Sequence, residues 1–231
     1  MIELQKRRGV RALAVFDMDG TLLESRSIDV LCQRFGLETK LGEIDRRSES
    51  LHGYEVSEAV AQLFAGMRTS DLEMAFDNIK IVSGAKEFIG LLRRTRFLTA
   101  IVTDSYTFLA SRLAEKLVVD MALGNNLESV NDVITGRIIM PLGWEKKENC
   151  RKKAVCKLHA MYELAQKNEI GLDNTLAIGD SKSDLCMIER AAMGVAFRPK
   201  DPEVARIADL VVLKDFFELA EKLKPFLDRF Q

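Results

Sequence analysis

The sequence predicts an α/β protein: a parallel sheet flanked by helices, with a small helical module interrupting the pattern early. Three observations carry this. Short apolar runs of strand length alternate with amphipathic stretches of helix length from Val10 to the end of the chain. The runs at Val10–Phe16, Phe97–Val102, Thr175–Ile178 and Gly194–Phe197 are apolar at nearly every position, as strands buried on both faces must be. Between the first two runs, residues 27 to 81 keep helical spacing with no convincing strand.

Taken in order, Val10–Phe16 ends at Asp17 and Gly20. The helical stretch follows, its apolar positions being Ile28, Val30, Leu31 and Phe35, then Val56, Val60, Leu63, Phe64 and Met67, then Leu72, Met74, Ala75 and Ile79. Ser83-Gly84 opens a helix over Ala85–Arg94, which leads into the strand Phe97–Val102 and a helix over Tyr106–Leu117. Met121–Ile139 reads as strand pieces broken by turns at Gly124-Asn125-Asn126 and Thr135-Gly136. The remainder alternates: helix Lys152–Asn168, strand Thr175–Ile178, helix Asp184–Ala192, strand Gly194–Phe197, helix Pro202–Ala208, strand Leu210–Leu213 and a closing helix Phe216–Phe230. The expected organisation is a core domain from residues 1–24 and 83–231 and a helical domain from residues 25–82.

Composition narrows the function classes. The 231 residues carry 34 basic and 35 acidic side chains, a net charge of −1, so no nucleic-acid partner is implied. The basic N-terminal stretch has too short an apolar run for a signal peptide, and no stretch approaches the ~20 apolar residues of a membrane span. The expected compartment is the cytoplasm, with no membrane partner. Cys32, Cys150, Cys156 and Cys186 form no CxxC pair and are expected as reduced thiols.

Ligands of open α/β sheets bind beyond the carboxyl ends of the strands. The first strand ends in Phe16-Asp17-Met18-Asp19-Gly20-Thr21-Leu22. Two carboxylates two residues apart can divide the labour, one attacking phosphorus while the other protonates the leaving oxygen and later activates water. An acidic turn is the plainer reading of the same residues. Thr103, after the second strand, can hydrogen-bond a phosphoryl oxygen beside backbone N–H groups, or can merely cap the next helix. Gly179-Asp180-Ser181-Lys182-Ser183-Asp184 follows a later strand, and Asp180 and Asp184 offer the hard oxygen ligands that Mg²⁺ prefers, unless the loop is simply solvated. Lys157, at the start of a helix facing the same rim, can bring an ammonium to a phosphate; a lone helical lysine is more often surface.

Together, Phe16–Leu22, Thr103, Lys157 and Gly179–Asp184 resemble the haloacid dehalogenase superfamily in its own order, over nearly the whole chain, and the phosphoserine phosphatase branch most of all. The resemblance implies a Rossmann-like core, a helical cap of the first type over residues 25–82, and a two-step transfer through an aspartyl-phosphate on Asp17. Asp19 would be general acid and then base, and Thr103 and Lys157 would hold the transferring group. Mg²⁺ would bind the Asp17 carboxylate, the Asp19 carbonyl and Asp180, with Asp184 in support. The implied partner is a small phosphorylated metabolite.

The departures bear on which one. Where phosphoserine phosphatases carry a glutamate that reads the substrate ammonium, this chain has Arg26; where they carry a carboxylate-gripping arginine, the alignment puts Val60, with Arg68 two turns on. Asp104 and Ser105 replace two glycines after the hydroxyl residue. Each loss should cost roughly several kcal/mol against phosphoserine. Arg26 could instead read an anionic or hydroxyl-rich leaving group, or Asp104 a cationic one, as in phosphoethanolamine/phosphocholine phosphatases, whose second motif Thr103–Phe108 resembles. Arg26 and Asp104 could also pair with each other. Phosphomutases and phosphotransferases share the chemistry, and a non-enzymatic protein of this fold would be expected to have lost one of Asp17, Asp19, Lys157 or Asp180. His52 and His159 are too sparse for a zinc site or triad, Trp144, Tyr54 and Phe64 read as packing, and the basic stretches at 6–11 and 145–153 read as solvated faces.

Overall fold

The computed structural model describes residues 9–48, 50–51, 53–141 and 155–230. His52, Trp144, Cys150, the stretch 145–153 and residues 6–8 lie outside them. Among the described residues one sheet of seven strands is formed: β1 (Ala12–Phe16), β2 (Phe97–Tyr106), β3 (Met121–Val130), β4 (Val133–Ile139), β5 (Thr175–Gly179), β6 (Met193–Phe197) and β7 (Leu210–Val212), in the order β4-β3-β2-β1-β5-β6-β7. All neighbours are parallel except β3 and β4, which form an antiparallel hairpin at one edge.

The two-residue period of β1 divides the core between the faces of the sheet. Ala12, Ala14 and Phe16 point to one side, where α5 (Ala85–Arg94), α6 (Thr107–Leu117) and α10 (Phe216–Leu227) bury Phe88, Leu113 and Phe216. Leu13 and Val15 point to the other, against Met161 and Leu164 of α7 (Lys157–Lys167), Met187 of α8 (Leu185–Arg190) and Val204 of α9 (Pro202–Ile207). Phe16 lies 6.3 Å, ring to ring, from both Phe88 and Phe216. That clamp fixes the residue just before Asp17, so the strand delivers the carboxylate from a rigid base.

The helical stretch forms α1 (Ser27–Phe35), α2 (Glu38–Arg47), α3 (Gly53–Leu63) and α4 (Thr69–Phe76). Leu31, Cys32, Val60, Phe64, Leu72 and Phe76 supply its buried face. The chain leaves and returns at one crossing, where Glu24 N donates to Lys80 O and Val82 N to Leu22 O, each at 2.9 Å. A second attachment is made by the β3–β4 hairpin: Gly66 N donates to Ile134 O and Ile134 N to Met67 O, each at 2.8 Å. Asp132 at the hairpin tip accepts from Arg68, Thr69 and Ser70.

Three features differ from the sequence reading. The strand expected to stop at Val102 continues to Tyr106, so Thr103, Asp104 and Ser105 have strand backbone and α6 begins only at Thr107. Gly124-Asn125-Asn126 is not a turn but part of β3; a Cβ on Gly124 would lie 2.8 Å from Ser105 O, so the glycine serves a close approach of β3 to the end of β2. The chain turns instead at Asn131-Asp132, both with positive φ (52° and 68°), as a tight hairpin requires. Thr135-Gly136 likewise lies within a strand, β4.

Candidate active site

Asp17 and Asp180 stand just past the carboxyl ends of β1 and β5, and Thr103 lies within the last residues of β2; the three strands are neighbours at the centre of the sheet. Asp17 N donates to Ile178 O at 2.9 Å, which ties the first loop to β5. Lys157 is the first residue of α7 and is only 3% exposed. Its Nζ donates to Asp17 Oδ1 at 2.5 Å and to Asp184 Oδ1 at 2.7 Å. Burial works against the charge on Lys157, but Asp17 and Asp184 outweigh it and hold its pKa well above the ordinary lysine value. Burial likewise raises the pKa of Asp17; Lys157 opposes this, and the Asp184 and Asp180 charges add to it.

Asp184 is fully buried and spends its second oxygen on backbone, accepting from Asp180 N and Ser181 N at 3.1 Å each. It therefore orients the loop after β5 as well as Lys157. Asp180 is also fully buried; Oδ2 lies 2.6 Å from Lys200 Nζ, while Oδ1 has no hydrogen-bond partner among the described residues. Burial raises its pKa, with Lys200 opposing. Carboxylate oxygens of Asp17, Asp180 and Asp184 lie within 4.8 Å of one another. Three hard oxygen donors, one with an unpartnered buried oxygen, fit Mg²⁺, which is bound by one or two carboxylates with water and phosphate completing its shell. The glycines of both acidic motifs have steric reasons here. Gly20 has φ +86°, and a Cβ on it would lie 2.2 Å from Asp180 Oδ2; one on Gly179 would lie 2.4 Å from Asp184 Cγ.

Asp19 accepts from Ser27 N at 2.9 Å and from Ser27 Oγ at 2.8 Å, so the first turn of α1 holds it. Burial pushes its carboxyl up to about 6, against the pull of these two bonds. Ser27 Oγ also lies 3.0 Å from Ser105 Oγ, linking α1 to the end of β2. Thr103 is buried beside them, its Oγ1 accepting from Ser105 N at 3.0 Å. The N–H expected to be available for an anion is thus engaged by Thr103 itself.

Asp17, Asp19, Thr103, Ser105, Lys157, Asp180 and Lys200 line one cavity of about 470 Å³, bounded on the helical side by Ile28, Leu51, Val56 and Val60 and on the hairpin side by Ile138. Arg26 and Asp104 line it too, but the ion pairs of Arg26 are with Asp29 at 3.2 Å and Asp45 at 3.1 Å, both in the helical unit. Arg68 pairs with Asp132 outside the cavity. Of the residues read from sequence, the fold gathers Asp17, Asp19, Thr103, Asp104, Ser105, Lys157 and Asp180 around this space, with Asp184 behind Lys157. Ser27 and Lys200 were missed. Ser27 showed only as a helix-starting residue, and nothing in the order Arg198-Pro199-Lys200-Asp201 signals a lysine reaching back to β5. Among the described residues Cys32 and Cys186 are free thiols, His159 pairs with Glu163, and no helix is long and apolar enough to cross a membrane.

Residues 14–189 match the family of haloacid dehalogenase-like hydrolases. A phosphoserine phosphatase of Archaeoglobus fulgidus is 33% identical over 83% of this chain, which spans 54% of that protein's length. A phosphoserine phosphatase of Idiomarina loihiensis is 33% identical, and the alignment covers 87% of both chains. A solved structure of a phospho-aspartyl intermediate analogue of phosphoserine phosphatase superposes with a TM-score of 0.79 at 25% identity, covering 93% of this chain and all (100%) of the other. The chain belongs to the haloacid dehalogenase-like hydrolase family, among its phosphoserine phosphatase-like members.

Proposed function

We propose that the chain is a Mg²⁺-dependent phosphatase of small phosphomonoesters that works through an aspartyl-phosphate on Asp17. The observation that carries this is the buried ammonium of Lys157 at 2.5 Å from Asp17, with Asp180 and Thr103 on the same rim. An Asp17 oxygen attacks phosphorus in line with the leaving oxygen, and the P–O bond to the alcohol breaks as the bond to Asp17 forms. Asp19, whose carboxyl burial pushes up to about 6, gives its proton to the departing alkoxide. In the second step Asp19 takes a proton from water as the water attacks phosphorus, releasing inorganic phosphate and restoring Asp17. Lys157 and Thr103 hold the phosphoryl oxygens through both steps.

The Asp17 carboxylate, the Asp19 carbonyl and Asp180 would hold Mg²⁺, with Asp184 fixing the loop behind them; the ion supplies charge neutralisation between the attacking carboxylate and the phosphoryl group. The unit α1–α4 acts as the cap, placing Asp19 through Ser27 and excluding water at attack. Phosphoserine is the substrate named in the relatives. The described leaving-group wall supports a different phosphomonoester, because Val60 lines it and Arg26 is already held by two carboxylates. The test is phosphate release across a panel that includes phosphoserine, phosphoethanolamine, phosphocholine and sugar-acid phosphates, with acid-quenched labelling to trap the covalent intermediate. Label that stays on Asp17→Asn protein, or no release from any compound with Mg²⁺ present, would sink the proposal.

A further inference from the structure

Two ammonium groups flank the three buried carboxylates, and they are held very differently. Lys157 is 2% exposed at its side chain and bonded to two carboxylates, so it is part of the buried frame. Lys200 is 60% exposed at its side chain and reaches in from the loop after β6 to pair, among the described residues, with Asp180 at 2.6 Å. Its backbone is anchored: Lys200 N donates to Asp180 O at 2.9 Å, so the Cα cannot drift while the flexible stem can. The ammonium lies over the turn after Asp17, since a Cβ on Gly20 would sit 2.5 Å from Lys200 Nζ. It also lines the cavity. Within this cluster three carboxylates face two ammonium groups.

We infer that Lys200 is a displaceable counter-cation: it occupies Asp180 when no divalent ion is bound, must swing toward solvent when one binds, and so sets how tightly the site holds its metal. This rests on the reading of Asp180 as a metal ligand. The physical reason is that a buried carboxylate stripped of water needs a partner, and an exposed, tethered ammonium supplies one without the permanence of Lys157. A divalent ion then competes with an existing charge instead of entering a bare acidic cluster. A site so built holds Asp180 in place between metal-binding events and lets the metal exchange more readily than it would without the second ammonium.

The experiment is titration of the purified protein with Mn²⁺, following free Mn²⁺ by its paramagnetic resonance signal, for the wild type, Lys200→Met, Lys200→Arg, Lys182→Met and Asp180→Asn. Lys200→Met should bind Mn²⁺ about tenfold tighter, because one nearby unit charge no longer opposes the ion. Lys200→Arg, which keeps the charge, should stay within about twofold of the wild type. Lys182 is an exposed neighbour that pairs with Asp201 at 3.0 Å, and its loss should change affinity less than about threefold. The melting temperature gained on adding saturating Mn²⁺ should be larger in Lys200→Met than in the wild type. A Lys200→Met protein that binds no tighter, or a Lys182→Met protein that gains as much, overturns the inference while Asp180→Asn still loses binding. If Asp180→Asn binds Mn²⁺ as well as the wild type, the metal assignment itself falls and takes this inference with it.

Discussion

On the sheet side of the cavity, Asp17, Thr103 and Asp180 hang from central strands paired on both edges, and Lys157 is clamped by two buried carboxylates. On the helical side, Arg26 precedes α1 and Val56 and Val60 come from α3, and the Arg26 guanidinium is tied to Asp29 and Asp45 at the partly exposed surface. The first wall is rigid and crowded with charge held at high desolvation cost. The second is aliphatic and joined to the core through a crossing and a hairpin contact. The charged groups stand on or beside strands paired on both edges, and the aliphatic ones on the helices that cover them. A side chain on the sheet side should therefore matter for rate or folding, and one on the helical side for the choice of substrate.

Substitutions can break that division. The largest effect is expected from Asp17→Asn, which should lower hydrolysis of a generic aryl phosphate by roughly 10⁴-fold or more, with circular dichroism and melting temperature retained. A large loss of melting temperature would mean that Asp17 is a structural charge. Removal of divalent ions with EDTA should abolish turnover, and Mg²⁺ should restore it; activity that survives dialysis against EDTA would remove the metal from the scheme. Lys157→Met strips the shared partner from Asp17 and Asp184, and by denaturant unfolding it should cost about 3–5 kcal/mol.

For the two residues expected to face the leaving group, Arg26 before α1 and Asp104 in β2, the numbers shrink. Arg26→Glu or Asp104→Gly should reorder a substrate panel by about tenfold in kcat/KM, equivalent to about 1.4 kcal/mol, with aryl phosphate turnover little changed. An unaltered ranking in both variants would mean that neither residue reads the leaving group. The smallest effect concerns the attachment of α4 to α6. Arg112 binds Asp77 and holds its carboxyl well below the usual range, so this contribution is complete above the unfolded carboxylate value of about 4 and is lost as the pH falls below it. Arg112→Gln should lower stability by about 1 kcal/mol or less near neutral pH and by a smaller amount near pH 2, as thermal melts at the two pH values would report.

The same contrast governs how much was legible in sequence. Buried parallel strands announce themselves as unbroken apolar runs, so β1, β5 and β6 and the acids that follow them could be read directly. Edge elements could not. Gly124 carries the residue type of a turn yet serves a close approach, and the true turn at Asn131-Asp132 was hidden in a polar stretch of strand. Arg26 could be singled out as unusual, but its partners Asp29 and Asp45 include one nineteen residues away, beyond any local pattern. Ser27 and Lys200 act through contacts that exist only once α1 and the loop after β6 are packed.

Local order of residues was enough to establish an α/β chain, two acidic motifs at strand ends and a helical insertion between the first two strands. It sufficed because strand burial and helix amphipathicity are properties of neighbours a few residues apart. Which ammonium faces which carboxylate was settled by folding alone. Lys157 lies 140 positions from Asp17 and 27 from Asp184, and the free energy of such contacts comes from burial that no short window of sequence contains.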